Sequence, residues 1–130
     1  MTATTGVIVV VDDEQAVRAL MVALLQSDGY TVLEAVDGED ALRIMQKHHE
    51  PVDLLISDVN MPEMDGFELV AFLRSAYPSL RALFVSGQGT QWLLDNRDRM
   101  TKGTHFLAKP FTADVLRQRV REIIAGEPPG

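Results

Sequence analysis

The stretch Val52-Asp53-Leu54-Leu55-Ile56-Ser57-Asp58-Val59-Asn60-Met61-Pro62-Glu63-Met64-Asp65-Gly66 decides the reading of this chain. It is an apolar run that stops on a carboxylate and opens a loop rich in turn formers. Three other runs stop the same way. Val7 to Val11 ends on Asp12-Asp13, Ala82 to Val85 on Ser86, and Phe106-Leu107-Ala108 on Lys109-Pro110. Near-continuous Val, Leu, Ile and Phe marks strands buried on both faces, as in parallel sheets.

Five such runs are present: Val7–Val11, Thr31–Ala35, Val52–Ser57, Arg81–Ser86 and His105–Ala108. Longer segments with helical spacing separate them. Val17, Leu20, Met21 and Leu24 form one stripe, and Leu69, Val70, Leu73 and Tyr77 another. Gly29 and Pro78 are placed to stop the first and third helices, and Thr112 to cap the last. Arg117, Arg119 and Arg121 read as falling late in that helix. Thr90 to Arg99 is the most polar segment, with only Trp92, Leu93 and Leu94 for an apolar face.

Strand-helix alternation repeated five times predicts an α/β domain, a doubly wound five-stranded parallel sheet with five helices. Ligands of such sheets sit beyond the carboxyl ends of the strands. Those ends carry Asp12, Asp13, Asp58, Ser86 and Lys109. Residues 1–5 read as a flexible start, 6–125 as one domain, and 126–130 as a flexible tail or linker.

Bulk properties narrow the function. A chain of 130 residues fits a single domain. A formal charge of -7 argues against a nucleic-acid surface. Without cysteine there are no disulfides, thiolate metal sites or thiol nucleophiles. No apolar run approaches the ~20 residues that span a bilayer, and the first residues do not read as a signal peptide, so a cytoplasmic location is expected.

Three carboxylates gathered at one edge repel each other and would share protons or hold a cation. Oxygen-only ligands favour Mg²⁺ or Mn²⁺, with Asp13 and Asp58 as direct ligands and Asp12 acting through a water. Asp58 is also a candidate nucleophile toward phosphorus. Lys109 supplies a compact positive partner and Ser86 a hydroxyl donor.

Taken in order, VVVDDE (9–14), LLISDVNMPEMDGFEL (54–69), LFVSG (83–87) and FLAKPF (106–111) resemble bacterial two-component response-regulator receiver domains. The resemblance covers Gly6 to Ala125. It implies a flavodoxin-like strand order of 2-1-3-4-5. It also implies that Asp58 takes a phosphoryl group from a histidine kinase or phosphotransfer protein. The backbone carbonyl of Asn60 would join Asp13 and Asp58 around the metal. Ser86 and Phe106 would switch the face made by the fourth helix, fifth strand and fifth helix, which serves an unidentified output partner and a phosphorylation-linked dimer. Asn60 and Gln88 would tune dephosphorylation, and Lys109-Pro110 would be cis. The wording of LFVSGQG (83–89) and FLAKPF is similar to receivers of hybrid histidine kinases; a stand-alone receiver fits equally. A Mg²⁺-dependent aspartyl-phosphate phosphatase would need a second acid two residues after the nucleophile, where Asn60 stands. A receiver-like module that never takes phosphate would typically lack one of these acids or the lysine. A flavin-binding domain of similar topology would place its phosphate against Asp12-Asp13.

Overall fold

A computed structural model describes residues 6–48, 51–61, 64–87, 94–99 and 101–126. The elements follow as β1 Val7–Val11, α1 Gln15–Ser27, β2 Thr31–Ala35, α2 Gly38–Lys47, β3 Leu54–Asp58, α3 Gly66–Ala76, β4 Ala82–Ser86, β5 Thr104–Ala108 and α4 Ala113–Ala125. All strand pairs are parallel, in the order β2-β1-β3-β4-β5. The expected strand order is therefore present.

Four α-helices, not five, stand among the described residues. The polar segment Thr90 to Arg99 is described only over 94–99, where Leu94 and Asp95 are helical and a 3₁₀ turn follows at Arg97–Arg99. Its apolar positions Trp92 and Leu93 lie outside the described residues.

Alternation along the strands divides the core into two layers, because successive side chains point to opposite faces of a sheet. Ile8, Val10, Leu54, Ile56, Leu83 and Val85 pack with Met21 and Leu25 of α1 and Leu116, Val120 and Ile123 of α4. Val9, Val11, Leu55, Ala82 and Phe84 pack with Ala41 and Met45 of α2 and Leu69, Val70 and Leu73 of α3. β1, β3 and β4 are buried along their whole length, which explains their unbroken apolar runs.

Helix ends follow local chemistry. Asp37 accepts a hydrogen bond from the Asp40 N–H, and Thr112 from the Val115 N–H. Asp65 and Glu68 form a reciprocal capping box at α3. Gly29, with φ of 99°, follows α1, and α3 ends just before Pro78. The arginines of α4 do not serve its carboxyl end, because its last turn holds no basic residue. Arg117 instead pairs with Asp28 at 3.3 Å, and Arg119 donates to the Phe106 carbonyl at 3.0 Å.

Candidate functional site

The sheet places four strand ends side by side. After β1 the chain turns outward to β2, whereas β3, β4 and β5 extend the other way, so the switch point lies between β1 and β3. Register does the rest. Val11 sits opposite Ser57, Asp58 opposite Val85, and Ser86 opposite Ala108. Asp12, Asp58, Ser86 and Lys109 therefore rise from neighbouring strands.

These groups are unusually buried for polar residues. Asp12 and Ser86 are fully buried and Asp58 is 7% exposed. Lys109 Nζ reaches Asp58 Oδ2 at 3.2 Å, Asp12 Oδ2 at 3.3 Å and Glu14 Oε1 at 3.5 Å. Its backbone N–H donates to the Ser86 carbonyl at 2.7 Å, tying β5 to β4 at the site. The Lys109-Pro110 bond is cis, as the resemblance implies.

Each acid is fixed by the backbone as well. Asp12 Oδ1 accepts the Glu14 N–H at 2.8 Å, and Asp58 Oδ1 accepts the Asn60 N–H at 3.1 Å. The Asp12 carbonyl takes the Arg18 guanidinium at 2.7 Å, and the same side chain pairs with Glu34. Below Asp58, the Ser57 hydroxyl donates to the Asp58 carbonyl at 2.9 Å. Gly66 must lack a side chain here. A Cβ would lie 2.7 Å from the Asp58 carbonyl oxygen and 2.9 Å from the Phe84 ring.

Burial pushes the Asp12 carboxyl above its ordinary value; the Glu14 N–H and the Lys109 charge oppose this, and the Asp58 charge adds to it. Burial alone would lower the Lys109 ammonium. The Asp12 and Asp58 charges outweigh it and hold Lys109 above its ordinary value, so it stays charged at neutral pH.

Asp12, Glu14 and Asp58 each offer an oxygen within 4.8 Å of the others. Three carboxylates against one ammonium leave excess negative charge in a largely buried site. The all-oxygen donor set fits a hard divalent cation such as Mg²⁺. Asp13, read from the sequence as a direct ligand, is exposed, and the acids that converge are Asp12, Glu14 and Asp58. Asn60 is exposed and Phe106 half-buried against the α2–α3 core layer. Gln88 lies outside the described residues. Sequence reasoning missed Glu14 and Arg18. Local spacing gave no signal for the second, since Arg18 reaches Glu34 and the Asp12 carbonyl, neither of them a neighbour on α1.

The geometry defines a class: a doubly wound domain with an acidic pocket and an invading lysine at its switch point. The chain belongs to the response regulator receiver domain family, whose pattern matches residues 8–121. It is similar to sensor kinase CckA of Brucella abortus, 42% identical over 92% of this chain and 13% of that one. It is 30% identical to sporulation initiation phosphotransferase F of Bacillus subtilis, over 90% of this chain and 92% of that one. Among solved structures, the receiver domain of hybrid histidine kinase CckA superposes with a TM-score of 0.77 at 39% identity, covering 92% of this chain and 99% of that one. The chain thus spans about an eighth of the sensor kinase and nearly all of the sporulation protein. It is a two-component receiver domain, homologous to phosphoacceptor domains. No helix among its described residues is long and apolar enough to cross a membrane.

Proposed function

We propose that Asp58 is the phosphoacceptor and that the domain works in the cytoplasm as a relay point between a histidine kinase or phosphotransfer protein and an output partner. The observation that carries this reading is the Lys109 ammonium at 3.2 Å from a buried carboxylate at the switch point. An Asp58 oxygen attacks phosphorus, and the bond from phosphorus to the donor's histidine nitrogen breaks. The nitrogen leaves with the bonding pair. Lys109 offsets the charge gathering on the phosphoryl oxygens, and the Ser86 hydroxyl donates to one of them. Asp13, Asp58 and the Asn60 carbonyl would hold Mg²⁺ directly and Asp12 through a water, and the ion would supply Lewis-acid neutralisation of the same oxygens. Mn²⁺ suits the same oxygen set.

On this reading Ser86 and Phe106 carry the change to the outer face of β5 and α4, where the output partner docks and a phosphorylation-linked dimer forms. The domain acts on no external substrate and contacts no nucleic acid directly. Asn60 and Gln88 orient a water, so the phosphorylated state is short-lived; a half-life of many hours at neutral pH would contradict that part.

Intact-mass spectrometry after incubation with acetyl phosphate and Mg²⁺ tests the core of the proposal. The expected result is a gain of one phosphoryl group, lost with EDTA and absent in Asp58→Asn. Equal gain in wild type and Asp58→Asn would overturn it.

A further inference from the structure

Glu14 opens α1 but does not cap it, since its side chain makes no hydrogen bond to the helix. Its carboxylate instead leans toward the pocket, with Oε1 3.5 Å from Lys109 Nζ. It is also one of the three acids whose oxygens lie within 4.8 Å of each other. Unlike its partners it is open to water, with its side chain 62% exposed, against 10% for Asp58 and none for Asp12. It is therefore the outermost of the acids gathered around Lys109.

A carboxylate in that position has two effects on an arriving phosphodonor. Its charge repels a small anion on the way in, and its contact with Lys109 competes for the ammonium that the phosphoryl oxygens need. Neither effect weighs as heavily on a donor held by a protein–protein contact, because docking supplies the energy that brings phosphorus to Asp58. We infer that Glu14 is a specificity-determining residue of the phosphotransfer: it slows small, highly charged phosphodonors and so biases the domain toward a protein donor. The inference rests on the assignment of Asp58 as phosphoacceptor.

Two small donors separate charge from other causes. Acetyl phosphate is a dianion at neutral pH; Asp58 displaces acetate, which leaves with the bonding pair of the broken P–O bond. Phosphoramidate carries one negative charge fewer, and the broken P–N bond releases ammonia. Glu14→Gln keeps the shape and removes the charge. At saturating Mg²⁺, verified by calorimetry for each protein, the variant is expected to take phosphate from acetyl phosphate roughly fivefold faster than wild type at low salt. The gain should be smaller with phosphoramidate and should shrink toward unity near 0.5 M salt, where the Debye length is only about 4 Å. Glu14→Asp should stay close to wild type.

Wild type and Glu14→Gln phosphorylated at equal rates by both donors would overturn the inference while leaving Asp58 in place. An increase equal for both donors and independent of salt would overturn it too, since that points to a packing change. No phosphorylation of either protein by either donor would remove the Asp58 assignment, and this inference with it.

Discussion

The two ends of β3 carry the same side chain and use it differently. At the amino end, the Asp53 carboxylate accepts the Val7 N–H at 2.8 Å while its own N–H donates to the Val7 carbonyl at 2.8 Å. The partner is backbone, fixed in space, and the pair closes the ladder between β1 and β3. At the carboxyl end, Asp58 meets a lysine shared with Asp12 and Glu14. That partner sits on a flexible stem and can turn to a new anion. One acid is spent on holding the sheet together, whereas the other keeps oxygens that can exchange partners. Reactivity here follows from the mobility of the partner as much as from the acid.

The contrast predicts opposite responses. The largest change is expected for Gly66→Ala, at the reactive end. Its Cβ would press on the Asp58 carbonyl and the Phe84 ring, which packs 4.4 Å from Phe67. We expect a loss of about 1–3 kcal/mol in stability, as for other overpacked sites, together with slower phosphorylation. Denaturant unfolding beside the phosphotransfer rate checks both. Asp53→Ala, at the structural end, should leave the Val7 N–H without its partner and cost about 1–3 kcal/mol. Its phosphorylation rate should match wild type, and a slowed rate would break the comparison.

Smaller effects sharpen it. Thr112→Ala removes the cap of α4, far from either carboxylate in function, and should cost about 1 kcal/mol with no change in phosphotransfer. The smallest effect is a pH slope from His105 on β5. Burial lowers its pKa, and Arg119, Arg81 and Arg74 lower it further. The folded state therefore binds that proton less readily than the unfolded chain. Its stabilising contribution is present above the ordinary value of 6.5 and is lost as pH falls through the depressed folded value. His105→Gln should flatten this part of the stability profile, measured by denaturant midpoints from about pH 7.5 down to about pH 5.

Much of this was legible in the sequence because burial on both faces leaves a plain mark. β1, β3 and β4 are unbroken apolar runs, and the polar residue that ends each one sits at the site for that reason. Asp12, Asp58, Ser86 and Lys109 stand at strand ends in the sequence and at one edge of the sheet in the structure. The approach of Glu14 to Lys109 was not legible. Asp12 folds back to accept the Glu14 N–H, and that turn leaves Glu14 Oε1 3.5 Å from Lys109 Nζ. Arg119 was misread for a related reason. Its distance from the helix end says little, whereas the Phe106 carbonyl beside it takes the guanidinium. The polar segment before β5 gave too narrow an apolar stripe for its ends to be fixed.

The most direct test of the central claim is to find which residue carries the phosphoryl group. Borohydride reduces an acyl phosphate to an alcohol, converting a phosphorylated aspartate to homoserine. Wild-type protein treated with acetyl phosphate and Mg²⁺, reduced, digested and sequenced by mass spectrometry should carry homoserine at position 58 and retain aspartate at positions 12, 13 and 53. Homoserine at one of those other positions, with Asp58 intact, would contradict the account.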